Sequence, residues 1–412
     1  MNGNGHPPSE RRVAGLPRNV FVLGMVSLFN DVGSEMIFAI YPLFLATVLG
    51  AGAEIIGLIE GIAESMSNIL KTFSGWLSDR VSRRKSFVFS GYALSNTVQP
   101  LMGLTTAWPQ LLVLRSLDRL GKGTRESPRD ALVADSASQE EYGRSFGFQR
   151  SMDSLGGVLG PILAFAILAY FHYLANPGAP LISYFVSNST TPATAFRWVF
   201  FLAAVPNLLA VALVLLVREK PHLVGRVGKP RLSLAGFDSR FKLYLLAVVV
   251  LGLSQLSYTF MILRSRSAGV AVPLIPLLYM FFQLIYAATA APAGVVSDRI
   301  GRRRVLTMGY GVFILMSVGW IFVATPLGAA GLFGLYGLFH GLTDGVQRAF
   351  AADLSGGERR GTGLGLYHTG RGLALLPASA IAGVLWAVFG PAAAFIFAGG
   401  VASVGLILLS FV

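Results

Sequence analysis

Carboxylates and cations recur at helical spacings inside stretches of this chain that are otherwise apolar. Asn30, Asp31, Ser34 and Glu35 share one helical face, with Asp31 and Glu35 one turn apart. Glu60, Glu64, Asn68 and Lys71 follow at spacings of four, four and three. Arg115, Asp118 and Arg119 sit in a later apolar stretch, and Arg150 and Asp153 in the next. The second half of the chain adds His340 with Asp344 and His368 with Arg371. A charge in hydrocarbon is expensive, so each of these groups should turn toward a water-filled cavity or a partner. The chemistry open to such a set is proton binding and ion pairing rather than bond making. Two carboxylates one turn apart in a low dielectric resist ionising together. No basic residue is closer in sequence to Asp31 than Arg18, so Asp31 and Glu35 are the expected carriers of a coupling proton. For Glu60 and Glu64 an alternative stands: they pair with Lys71, or sit at an outer mouth, and never titrate.

Helices that cross a membrane are needed to hold these residues. Of 412 residues 54% are hydrophobic and only 13% charged, against about 25% charged in soluble domains. The mean hydropathy is +0.63. Twelve apolar runs are long enough to span, at 19–46, 53–77, 86–106, 109–128, 144–171, 195–217, 242–264, 273–296, 304–325, 328–348, 362–388 and 391–411. The runs are continuous rather than alternating, which favours helices over a barrel. A polar tail at 1–18 precedes them and lacks the apolar core and cleavage site of a signal peptide. A linker at 218–241, rich in Lys, Arg, Gly and Pro, separates six runs at 19–217 from six at 242–412.

The net charge of +13 invites a nucleic-acid reading, but the placement of the charges argues against one. Arg and Lys collect at 11–18, 80–85, 122–144, 218–242, 299–304 and 359–360, all on one side if the runs alternate. That is the positive-inside bias, and it places both termini and the linker in the cytoplasm of a multi-pass inner-membrane protein. There is no cysteine, so disulfides, thiolate metal sites and cysteine nucleophiles are excluded. Gly121-Lys122-Gly123-Thr124 lacks the full phosphate-loop spacing, and no two of the five histidines are four apart. Neither an enzyme activity nor a cofactor or metal is expected. Asn188-Ser-Thr190 fits a glycosylation acceptor but is read as incidental.

The two halves repeat. Gly75-Trp-Leu-Ser-Asp79-Arg80-Val-Ser-Arg83-Arg84-Lys85 matches Gly294-Val-Val-Ser-Asp298-Arg299-Ile-Gly301-Arg302-Arg303-Arg304 at an offset of 219 residues. Ala134-Asp135 returns as Ala352-Asp353, and Gly143 and Gly147 as Gly361 and Gly365, at an offset of 218. The same offset aligns Arg150 with His368 and Asp153 with Arg371, a carboxylate in one half where the other has a cation. Two parallel six-helix units with a site between them form a transporter architecture.

The two loop copies resemble the G-x-x-x-D-R-x-G-R-R/K signature of the major facilitator superfamily, with Ser82 in place of the first copy's glycine. The resemblance covers essentially the whole chain. It implies an all-α membrane fold of twelve transmembrane helices in two pseudo-symmetric six-helix bundles. A carboxylate at a helix end beside guanidinium groups can also close one face in one state and release it in the other. The expected cytoplasmic gate is Asp79, Arg80, Arg83, Asp118, Arg119, Asp298, Arg299 and Arg302. Arg115-Ser-Leu-Asp118-Arg119-Leu-Gly121-Lys122-Gly123 resembles the superfamily's R-x-x-x-x-x-G-x-G pattern; the resemblance implies that Arg115 faces the central cavity and takes part in proton movement. Gly156-Gly157-Val-Leu-Gly160-Pro161 resembles the superfamily's antiporter motif. Tight helix packing alone would also use these glycines.

The reading is a monomeric secondary transporter working by rocking-switch alternating access, with protons and lipid as its other partners. It exports a small organic solute in exchange for protons. A symporter or uniporter importing a small, anionic metabolite is the alternative, and a non-transporting receptor the contrasting class. The expected substrate cavity is lined by Glu60, Glu64, Arg150, Asp153, His340, Asp344, His368 and Arg371.

Overall fold

The computed structural model describes residues 12–81, 83–138, 141–177, 192–219, 233–356 and 360–412, without the side chains of Asp79 and Arg360. Residues 1–11, Ser82, Asn188-Ser-Thr190, Arg359 and most of the inter-half linker lie outside that set. Asp238 caps the first helix after the linker, its carboxylate accepting from the amide of Phe241.

The chain is all-α. The helices are α1 (Arg18–Leu43), α2 (Ala53–Val81), α3 (Arg84–Met102), α4 (Trp108–Asp135), α5 (Tyr142–Ala175), α6 (Ala193–Val214) and α7 (Ser239–Ser254). They continue with α8 (Tyr258–Ser267), α9 (Ile275–Ile300), α10 (Arg302–Phe322), α11 (Pro326–Ser355), α12 (Arg360–Phe389) and α13 (Pro391–Ser410). Several run past the apolar stretch that announces them: α4 goes on to Asp135 and α11 to Ser355, because their last turns carry charge without leaving the helix. The seventh span differs in kind. It breaks at Gln255–Ser257 into α7 and α8, and the Ser257 hydroxyl caps the new helix by accepting from the amide of Thr259. The expected tail also holds a hairpin of Arg12–Val13 with Leu16–Pro17.

Proline opens α4, α9, α11 and α13 within the first two positions, where its missing N–H removes no intrahelical bond. Gly301, at φ 98°, makes the one-residue joint between α9 and α10 that a side chain would strain.

Helices α1–α6 form one bundle and α7–α13 the other, and the seams between them are α2 with α12, α5 with α9, and α1 with α8 and α9. The seams close at the end opposite the basic loops. There a Cβ on Gly57 would sit 2.3 Å from the Ser379 carbonyl, and one on Gly383 2.6 Å from the Ala53 carbonyl, so only glycine lets these backbones meet. Farther along the same seam Ser65 donates to the Gly372 carbonyl. Toward the basic end the halves part. Among the described residues, eight helical segments are long and apolar enough to cross a membrane. The four others, α2, α3, α4 and α11, carry much of the polarity that faces inward. The outer surface exposes Leu104, Val205, Leu315 and Phe389, as lipid contact requires.

Candidate functional site

Where the halves part they enclose a cavity of about 500 Å³. Its lining begins near Phe38 and Glu60 and runs toward the basic end through Glu126, Arg129 and Arg348. Asp31, Glu35, Glu64, Arg150, Asp153, His340, Asp344, His368 and Arg371 all line it, so the residues picked out for cavity chemistry from both halves meet in one volume.

The α1 wall is set by α5. A Cβ on Gly156 would lie 2.6 Å from the Asp31 Cβ, and one on Gly160 2.9 Å from the Glu35 Cβ. The glycine motif of α5 is therefore the surface against which both carboxylates are seated. Asp31 accepts a 2.9 Å hydrogen bond from Asn30. Glu35 lies beside Tyr279 and Gln283 of α9, and its buried Oε2 has no hydrogen-bond partner among the described residues. Among the described residues neither carboxylate has a cation within 4.0 Å, whereas the other acids of the cavity do. Asp153 is intermediate, 3.9 Å from Arg129.

The α2–α4 wall is an ionic lattice. Arg115, fully buried, reaches Glu60 at 3.3 Å and Asp118 at 3.4 Å, with its guanidinium 4.6 Å from the ring centres of Phe38 and Tyr41. Gln99 of α3 donates to Asp118 at 2.9 Å. Arg119 pairs with Glu64 at 3.2 Å. Lys71 pairs with Glu126 at 2.6 Å, and Lys122 lies 3.7 Å from the same carboxylate. Three sequence expectations are corrected here. Arg115 does not line the cavity; it is locked inside the first bundle, and Arg119, one turn on, faces the water instead. Asp118 and Arg119 are not at the basic end of α4 but about a third of the way along it and buried, Asp118 held by Arg115 and Gln99 and Arg119 paired with Glu64. Lys71 finds its partner in Glu126 rather than in Glu60 or Glu64.

The wall of the second half is aromatic and centred on one acid. Asp344 takes His340 at 3.1 Å and Arg371 at 3.4 Å. Arg371 also donates to Gln255 at 3.1 Å and to the Tyr367 hydroxyl at 3.3 Å. The break in the seventh span is thus held from both sides: Gln255 by Arg371, and Ser257 by Glu60, to which its hydroxyl donates across the halves at 3.1 Å. Phe282, Tyr286, Tyr336 and His340 stack around one patch, with Phe282 to Tyr336 at 4.8 Å and Tyr336 to His340 at 4.5 Å. Arg150 crosses from α5 to donate to the Tyr286 hydroxyl and lies 4.9 Å from its ring centre. The His368 Nδ1 is buried and unpartnered.

At the basic end, Asp298 pairs with Arg302 at 2.6 Å and Arg302 with Asp353 at 3.2 Å. Arg84 pairs with Asp135 in the matching place of the first half, and Arg80 lies over Trp76. Arg83 and Arg299 are exposed. Each of these pairs stays within one half, as expected of a face that is open. The Asp79 side chain lies outside the described residues.

Sequence reasoning passed over Gln99, Lys122, Glu126, Arg129, Gln255, Ser257 and Tyr286. A helical wheel of α4 would have found three of them, since Lys122, Glu126 and Arg129 share one face.

The sequence and the fold have relatives. The Major Facilitator Superfamily model matches residues 23–326 and 243–412. An uncharacterized MFS-type transporter of Methanocaldococcus jannaschii is 36% identical over 403 residues, which is 96% of this chain and 95% of that one. The multidrug resistance protein MdtH of Edwardsiella ictaluri is 30% identical over 156 residues, 38% of this chain and 39% of that one. The crystal structure of the nucleoside transporter NupG superposes with a TM-score of 0.76 at 10% identity, covering 96% of this chain and 99% of that one. A duplicated twelve-span bundle with a charged cavity between its halves, and a family match across both halves, make this chain a multi-pass membrane transporter that belongs to the major facilitator superfamily.

Proposed function

We propose that the protein is a proton-coupled antiporter that exports a small polar organic solute by alternating access, with Asp31 and Glu35 carrying the proton. One observation bears most of the weight. These two carboxylates face the cavity without a cation, while Glu60, Glu64, Asp118, Glu126 and Asp344 are each matched to one. A matched acid is held ionised by its partner; an unmatched one is free to exchange its charge for a proton as the cavity changes sides. A single site that accepts either a proton or a charged solute, but not both, gives exchange rather than co-transport. The partial similarity to MdtH, a multidrug resistance protein, supports the outward direction.

The basic loops lie in the cytoplasm of the inner membrane in this reading, together with both termini, because Arg and Lys concentrate there. The present conformation then opens inward. In the outward-facing state, Asp79 and Asp298 join the gate with Arg80, Arg83, Arg299 and Arg302. A monomer suffices, since each chain encloses its own cavity.

Arg150 favours a second reading. Its guanidinium faces the cavity with a phenol as its partner, and an anion bound there would favour protonation of the nearby acids and so symport. Proteoliposomes separate the two. In the antiport reading an inside-acid gradient drives solute inward into vesicles holding inward-oriented protein against proton efflux, and collapsing the gradient stops accumulation. Accumulation that instead requires protons moving with the solute contradicts antiport and supports symport.

A further inference from the structure

Two kinds of uncommitted charge remain in the cavity once the ion pairs are assigned, and they differ in sign. On α1 stand the carboxylates of Asp31 and Glu35. On α5 stands Arg150, whose partners are the hydroxyl and ring of Tyr286; among the described residues it has no carboxylate within 4.0 Å, and nor do two other lining cations, Arg125, which lies over the Tyr92 ring, and Arg348, which donates to the Asp344 carbonyl. A phenol is a weak partner for a guanidinium, which pairs far better with a carboxylate in a two-pronged contact. Both sets touch the same face of α9. Glu35 lies beside Tyr279 and Gln283, and Arg150 meets Tyr286, at most seven residues farther along. At about 1.5 Å of rise per residue, the two charges are separated by about 5–10 Å along the wall. The ring cluster of Phe282, Tyr286, Tyr336 and His340 lies beside them, carried by α9 and α11.

We infer that the transported solute is a small zwitterion with a planar, ring-like body: its cationic group sits at the Asp31 and Glu35 carboxylates, its acid group displaces Tyr286 from Arg150, and its ring lies on the aromatic wall. A purely cationic solute would leave Arg150 facing a positive neighbour. A purely anionic one would be set beside two ionised or protonated carboxylates without using them. A solute bearing both charges satisfies the α1 carboxylates and Arg150 at once, and desolvated polar groups left unmatched are what binding sites select against. The inference rests on the antiport reading in one respect, the sharing of the α1 carboxylates between proton and solute.

Three probes of nearly equal size decide the matter by equilibrium binding to purified protein at fixed pH, with no gradient and so no dependence on transport direction. They are 4-(aminomethyl)benzoate, 4-methylbenzoate and 4-methylbenzylamine. The zwitterion should bind at least tenfold more tightly than either singly charged analogue. Arg150→Gln should bring the zwitterion down to the affinity of the amine, whereas Arg150→Lys keeps part of the preference. Glu35→Gln together with Asp31→Asn should bring it down to the affinity of the acid. The wild-type comparison needs no variant to fold. Equal or tighter binding of either singly charged analogue, or no binding by any of the three, overturns the assignment. If the zwitterion preference holds while gradient-driven exchange is absent, the antiport reading fails and the substrate class stands.

Discussion

Replacing Arg115 separates a structural role from a cavity role. Its guanidinium has no solvent exposure, bridges Glu60 and Asp118 and lies between two aromatic rings. Arg115→Met keeps most of the volume and removes the charge, leaving a buried carboxylate pair with less to hold it. Breaking a buried ion pair from one side costs about 3–5 kcal/mol. The low end applies here, because Glu60 keeps its bond from Ser257 and Asp118 keeps Gln99. If a half of about 200 residues melts as a unit, at about 2–4 °C per kcal/mol, 3 kcal/mol lowers the melting temperature by about 6–12 °C. Adding Glu60→Gln removes one orphaned charge and should restore part of the loss, a coupling of about 0.5–3 kcal/mol in a double-mutant cycle. Intrinsic tryptophan fluorescence of the detergent-solubilised protein reads both. Unchanged melting in Arg115→Met together with lost solute binding would refute the reasoning and return Arg115 to the cavity wall.

Gly160→Leu should abolish transport while the protein still inserts, since its side chain must displace the α1 backbone beside Glu35; wild-type flux in that variant contradicts the seating of the carboxylates by α5. Ser257→Ala removes the cross-half bond to Glu60, and label distances between Gly50→Cys and Leu327→Cys should show more of the population open at that end. An unchanged distribution removes the latch. Asp298→Asn breaks a pair whose acid is 62% exposed, so melting should change by less than about 0.5 kcal/mol, while distances across the basic end move if the residue is a gate and stay put if it only sets topology.

The inward placement of the α1 carboxylates and the meeting of charges from both halves were legible in the sequence because two signals coincide there, whereas their seating on Gly156 and Gly160 appears only in the structure. A charge at helical spacing within an apolar run has few places to go but inward, and a duplicated loop motif fixes which helices correspond. Arg115 and Arg119 show what periodicity leaves open. Both belong to one polar face of α4, and which of them meets water depends on Glu60 arriving from α2, a long-range contact with no local mark. The break at Gln255–Ser257 was hidden for a related reason. The stretch contains no proline or glycine at the break itself, and the kink is held by Arg371 and Glu60, which lie far away in the chain. Helix ends were misplaced wherever a helix outlasts its apolar run, as α4 does from Arg129 to Asp135.

The chain has no cysteine, so paired labels can be introduced without background. With Val81→Cys and Arg304→Cys labelled on the basic ends of the two halves, the distance distribution should shift between acid and alkaline pH in the wild type. The shift should vanish when Asp31→Asn and Glu35→Gln are added, because protonation of those two groups is what moves the halves. A pH-driven shift that persists undiminished in the doubly neutralised protein would contradict the account and send the search for the proton to Asp153 or His368.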